Sequence, residues 1–147
     1  MGVPHYLMTS SLLGVLAQRL VRKICPSCAT QHQVSPNEAE VLGIEVGSTI
    51  MKPSVLTPEQ RTLAKQEGQL CPHCGGKGYK GRLGVYELMP VGKEIKEAIK
   101  NGKTSAEIET VAVDCGMKTL EAYGRQLLTE GLTSISEYQK LVSMVNE

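Results

Sequence analysis

Cys25-Pro26-Ser27-Cys28 and Cys71-Pro72-His73-Cys74 are two C-x-x-C knuckles separated by 42 residues. Four thiolates in two such pairs are the tetrahedral ligand set that Zn²⁺ prefers, and a site closed by four cysteines is a structural one. Proline restrains the turn after each leading cysteine, and Gly75 can take positive φ so that backbone N–H groups turn toward sulfur. Four thiolates on Zn²⁺ carry a net −2, which Arg22, Lys23, Lys77, Lys80 and Arg82, close in sequence, can offset. The separation exceeds the roughly 15–20 residues of a compact zinc ribbon. The intervening segment must therefore hold structure of its own.

Rival chemistries use the same residues. Cys-Pro-His-Cys also occurs in thiol oxidoreductases, where the first thiol opens a helix whose dipole lowers its pKa. Gly75-Gly76-Lys77-Gly78 would break that helix, and two pairs suit one metal better than one redox site. The segment 71–78 fits the C-x-x-C-x-G-x-G repeat of DnaJ-type chaperone zinc modules, but 25–32 does not. His32 and His73 could each replace a thiolate, yet with four cysteines present both read as bystanders. Cys115 falls on an apolar helical stripe with Ile108, Val111 and Ala112 and reads as a small buried core residue.

Gly102-Lys103-Thr104 imitates the end of a phosphate-binding loop. That loop needs glycine five residues earlier, where Glu97 stands, and a strand rather than a helix before it. There is no H-E-x-x-H and no G-x-S-x-G.

The elements that must position the cysteines are read from periodicity and capping. Leu13, Leu16 and Leu20 predict a helix over Leu7–Lys23, with Arg19, Arg22 and Lys23 at its C-terminal end. Between the knuckles, Ser35-Pro36-Asn37-Glu38 and Thr57-Pro58-Glu59-Gln60 each combine an N-cap hydroxyl, proline at the first helical position and Glu or Gln at the third. They predict two short helices joined by Gly47–Pro53. A strand is expected over Leu83–Met89. Ile95 and Ile99 then mark one helix, Thr104 caps a second that stops at Gly116, and two more run to the end. The expected fold is mainly α with a small β element. It comprises a leading helix in 1–24, a tetracysteine zinc module with helical insert in 25–90, and a C-terminal helical bundle in 91–147.

Composition narrows the function. The 147 residues carry a net charge of +1, with no Phe, no Trp and five Tyr. A nucleic-acid binder draws its affinity from excess Lys and Arg, and a single-strand platform needs aromatic faces, so no nucleic-acid partner is expected. No apolar run is long enough to cross a bilayer, and the N-terminus lacks both a signal-peptide pattern and a myristoylation pattern. The chain reads as cytoplasmic, and five cysteines there point to metal ligands plus a spare rather than a disulfide framework.

Gly14-Val15-Leu16-Ala17-Gln18-Arg19-Leu20-Val21-Arg22-Lys23 leads into Cys25-x-x-Cys28. Cys71-x-x-Cys74 is followed by Gly78-Tyr79-Lys80-Gly81-Arg82-Leu83-Gly84-Val85-Tyr86-Glu87. With Gly116-Met117-Lys118-Thr119-Leu120 and Glu130-Gly131-Leu132-Thr133-Ser134, these segments resemble the C-terminal end of the type II secretion and type IV pilus assembly ATPases, hexameric motors of the secretion superfamily. The departure is the long polar insert between the cysteine pairs. The resemblance implies a parent P-loop ATPase with a RecA-like core whose Walker A, acidic and histidine boxes precede this segment. The segment itself is then without activity. It implies a structural zinc on Cys25, Cys28, Cys71 and Cys74 that clamps the insert and holds a surface for the inner-membrane platform protein or neighbouring ATPase subunits. It also implies a cytoplasmic location at the inner-membrane face. Gln18, Arg19 and Arg22 have two readings, contact to the nucleotide site or adjacent protomer, or the solvated basic end of a helix. Arg82, in Gly81-Arg82-x-Gly84, is a further interface candidate or a partner for Glu87 or a helix end. Outside the family, the alternatives are a stand-alone zinc-ribbon binding module and a thiol oxidoreductase.

Overall fold

The computed structural model describes residues 2–145; Met1, Asn146 and Glu147, the outer ends of the first and last expected segments, lie outside the described residues. The elements run α1 (His5–Ser11), β1 (Gly14–Ile24), β2 (Thr30–Gln33), α2 (Pro36–Leu42), β3 (Thr49–Lys52), α3 (Pro58–Gln66), β4 (Tyr79–Pro90), α4 (Lys93–Lys100), α5 (Ser105–Asp114), α6 (Leu120–Thr129) and α7 (Ile135–Val145).

The expected helix over Leu7–Lys23 is not formed. α1 ends at Ser11, Leu12 is extended with ψ 126°, and β1 follows. The leucines that set the helical period point outward, Leu13 at 88%, Leu16 at 61% and Leu20 at 56% exposed, whereas Val21 and Ile24 are buried. β1 pairs with β4, so its backbone groups are satisfied by a strand far along the chain rather than by its own turns. Local periodicity carries no information about that partner. The expected strand over Leu83–Met89 is present within β4, which is longer at both ends.

Both helices of the insert form as their caps dictate. Ser35 accepts from the Glu38 N–H and Thr57 from the Gln60 N–H, each box closed by the returning side chain. Gly43, left-handed at φ 68°, ends α2. The joint between the helices contains β3, which pairs antiparallel with β2 in the register Thr30↔Lys52, Gln31↔Met51, His32↔Ile50 and Gln33↔Thr49. Thr104 caps α5 with a third box, closed by Glu107. Gly102-Lys103-Thr104 is therefore a helix-to-helix turn, with Gly102 at φ 67°.

Contacts divide the chain into two units, Met1–Gln18 with Tyr86–Leu120, and Arg19–Val85 with Glu121–Glu147. The first is built on Val91, Ile95, Ile99 and Ala112, with Met8, Leu12 and Met117 packed against them. The second is built on Val34, Ala39, Leu42, Ile50, Leu128 and Tyr138. The expected bundle over 91–147 is thus shared between two cores. α4 and α5 belong to the first, while α6 and α7 give Leu128 and Tyr138 to the insert. Gly124 of α6 lets α7 pack closely against it, because a Cβ there would stand 2.5 Å from Leu141 Cδ2.

Cys115 is also corrected. α5 ends at Asp114, so the residue that would begin the next turn of the apolar stripe is the C-cap, and it is exposed. Only Ala112 of that helix is fully buried. Gly116, at φ 100°, terminates the helix as expected.

Candidate metal centre

The first knuckle follows β1 and the second precedes β4, so pairing of these two strands brings the cysteines together. Cys25 N–H donates to the Gly78 carbonyl at 3.0 Å, tying the knuckles directly. Each knuckle closes on itself, Ala29 N–H to the Cys25 carbonyl and Gly75 N–H to the Cys71 carbonyl. Gly75 takes φ 62°, as expected from its position.

The four sulfurs lie within 4.8 Å of one another. Across the knuckles, Cys25 and Cys71 are 3.8 Å apart and Cys28 and Cys74 are 3.5 Å apart. A tetrahedron with metal–sulfur bonds of about 2.3 Å has edges of about 3.8 Å, whereas a disulfide needs about 2.05 Å. These two separations are close to that edge and are too wide for a disulfide. Cys25 and Cys74 are buried, Cys28 and Cys71 half-buried.

Electrostatics bear on the same point. Burial, together with the neighbouring sulfurs, pushes the Cys28 thiol up to about 12. Backbone N–H groups of Cys74 and His73 draw Cys71 down to about 7. Crowded thiols cannot all ionise against one another without a cation among them. Four thiolates so placed are a donor set that Zn²⁺ fits. The Gly78 N–H donates to Cys74 Sγ at 3.4 Å, the backbone-to-sulfur contact that accompanies such sites.

The insert is folded onto the second knuckle through glycines. A Cβ at Gly78 would stand 2.9 Å from Val55 Cγ2 and 3.1 Å from the Ser54 backbone, and one at Gly76 would stand 2.6 Å from Arg61 Cγ. Leu56 N–H donates to the Gly76 carbonyl at 2.9 Å, and Ser54 Oγ donates to the Cys28 carbonyl. Arg61, unremarked in the sequence, lays its stem on Gly76, and its Nε is buried without a hydrogen-bond partner among the described residues.

Other residues singled out by the sequence are elsewhere. His32 lies outside the cysteine cluster and bonds both carboxylate oxygens of Glu38 at 2.9 Å. His73 is exposed and also outside the cluster. Gln18 and Arg19 are exposed positions of β1, a strand rather than the basic end of a helix. Arg22 is engaged by a carboxylate and an aromatic ring. Its Nε and backbone N–H bind Glu137 at 2.9 and 2.8 Å, and its guanidinium carbon lies 4.0 Å from the Tyr79 ring centre. Arg82 is exposed, and the Glu87 carboxylate instead accepts the Leu120 N–H at 2.8 Å. Ser134-Ile135-Ser136-Glu137 carries an overlooked signal, the S-x-x-E pattern of a capping box. Ser134 Oγ accepts from the Glu137 N–H, but the glutamate side chain is diverted to Arg22.

Fold and cluster define the class: a mixed α and β chain with four thiols gathered where two knuckles meet. A family model described as "Type II/IV secretion system protein" matches residues 1–140, and the chain belongs to that family. It is 36% identical over 137 residues to the type IV pilus assembly ATPase PilB of Thermus thermophilus, covering 93% of this chain and 14% of that one. It is 33% identical over 138 residues to the type IV pilus assembly ATPase PilB of Myxococcus xanthus, covering 93% and 22%. To the putative type II secretion system protein E of Escherichia coli it is 33% identical over 147 residues, 100% of this chain and 27% of that one. The chain thus spans about a quarter or less of the length of these relatives.

Proposed function

We propose that this chain is the zinc-stapled C-terminal part of a secretion-superfamily ATPase that powers type IV pilus assembly or type II protein secretion. Cys25, Cys28, Cys71 and Cys74 hold one structural Zn²⁺, which closes both ends of the insert and fixes it on the β1–β4 pair. The zinc supplies no reactive position, since all four of its sites are taken by sulfur. The observation that carries this reading is the pair of cross-knuckle sulfur separations, 3.8 and 3.5 Å.

The segment has no ATP site of its own. Gly102-Lys103-Thr104 is spent on a helix turn and an N-cap, so its backbone N–H groups do not form a phosphate cradle. Its work is to present a rigid surface to the inner-membrane platform protein or to neighbouring ATPase subunits, at the cytoplasmic face of the inner membrane. No helix of the described residues is long and apolar enough to cross a membrane, which fits attachment through partners. X-ray absorption at the zinc edge tests the ligand set: four sulfurs at about 2.3 Å are expected, and a shell containing nitrogen would bring His32 or His73 back and overturn it.

A further inference from the structure

A cavity of about 340 Å³ lies in the second unit, lined by Arg22, His32 and Lys52 and floored by the apolar side chains of Ile50, Val55 and Ile135. None of its lining residues is acidic. Two carboxylates are bonded to lining residues, Glu38 to His32 and Glu137 to Arg22. Arg22 and Lys52 retain bonding capacity. Arg22 uses only its backbone N–H and Nε on Glu137, so its terminal guanidinium nitrogens have no hydrogen bond among the described residues. Lys52, exposed at the end of β3, has no ion pair among them either.

Arg22 is also held in place. Its guanidinium rests on the Tyr79 ring, and Tyr79 Oη is fixed by Ser134 Oγ at 2.7 Å. A guanidinium locked on two sides, with its outer nitrogens open, is preorganised for a carboxylate and loses little entropy on binding one. The cavity is at the small end of ligand sites, which run from roughly 300 to 1,000 Å³. Its wall from Ile50 to Pro53 is one continuous run of chain, extended through β3. Cations beside an apolar floor along an extended wall match an extended peptide, whose alternate side chains face one side.

We infer that this cavity receives an acidic extended segment of a partner protein, with one carboxylate on Arg22 and Lys52 and the apolar side chain two residues along on Ile50, Val55 and Ile135. The inference deepens the proposed function and rests on its reading of this segment as a partner-contacting surface. It names the chemistry of the partner.

The test is fluorescence anisotropy of the full chain with a labelled peptide of alternating glutamate and leucine, beside its glutamine and leucine counterpart. Two variants alter the cavity without removing a contact: Lys52→Glu at an exposed unpaired side chain, and Ser136→Glu, an acid in the first turn of α7 where the helix favours it. The glutamate peptide is expected to bind wild type, and both variants and the glutamine peptide are expected to bind about tenfold or more weakly. Equal binding of the two peptides, or wild-type affinity in both folded variants, would overturn the inference. So would no peptide binding by folded protein. Binding of adenosine monophosphate that Lys52→Glu abolishes, without peptide binding, would also overturn it, in favour of a small phosphate ligand. Zinc is measured on the same samples. Zinc-free protein that still binds sinks the metal reading alone, and zinc-loaded protein that does not bind sinks this one alone.

Discussion

Arg22 and Glu137, 115 residues apart in the chain, are joined twice, through the Arg22 backbone N–H at 2.8 Å and its Nε at 2.9 Å. Glu137 is almost fully buried, so the contact ties the end of β1 to the first turn of α7. Glu137→Ala is expected to cost about 2 kcal/mol, the scale of hydrogen bonds to a charged group, and Glu137→Gln less. Urea denaturation checks this; an unchanged midpoint for the alanine variant would show that solvent replaces the contact at no loss.

Acid should weaken the second unit in a defined direction. Burial pushes the Glu137 carboxyl up, but bonds from the Arg22 backbone and guanidinium, with the charges of Arg22 and Lys140, outweigh it and leave the carboxyl below its ordinary value. Hydrogen bonds from His32 and Ser35 lower Glu38 from 4.5 to about 2. Both groups take up protons more readily when unfolded, so each contribution is complete above pH 4.5 and is lost as pH falls through the lowered folded value, which for Glu38 is about 2. The difference in stability between wild type and the Glu38→Gln, Glu137→Gln double variant should therefore shrink over that range. Because metal loss is common to both proteins, it cancels in the comparison. A difference that stays constant would contradict the linkage.

Two glycines of similar conformation should respond differently to alanine. Gly81, at φ 81°, has open space where a Cβ would go, so Gly81→Ala should cost only the left-handed backbone penalty of about 1 kcal/mol. Gly78, at φ 79°, would meet Val55 and the Ser54 backbone as well. Gly78→Ala should cost more and also speed zinc release to a chelator. Equal losses in the two would show that the insert is not seated on the knuckle.

Cys115 is the exposed thiol of the five. An alkylating reagent should label it first in the folded, metal-loaded protein, with the other four reacting only after chelation. Cys115→Ala should change stability by less than about 0.5 kcal/mol. Slow labelling of Cys115 would show that its side chain is covered.

What could be read in advance was local. Ser35 with Glu38, and Thr57 with Gln60, specify their helices within four residues, and both boxes are present. The cysteine spacing likewise announces a cluster that the fold assembles. β1 was hidden because Leu13, Leu16 and Leu20 repeat at a helical period while their strand partner lies far along the chain. β2 is the polar run Thr30–Gln33, which becomes a strand only by pairing with β3. The attachment of α6 and α7 to the insert depends on Leu128 and Tyr138 meeting Leu42 and Ile50, and no periodicity within either helix encodes that. Arg61 drew no notice because its significance comes from Gly76 beside it in space.

The most direct measurement is zinc per chain, by native mass spectrometry and elemental analysis of untreated protein beside Cys71→Ser. One Zn²⁺ per chain is expected in the native protein and none in the variant, since three thiolates do not close the site. A zinc-free native protein with four free thiols, or a Cys71→Ser protein that keeps stoichiometric zinc, would contradict the account.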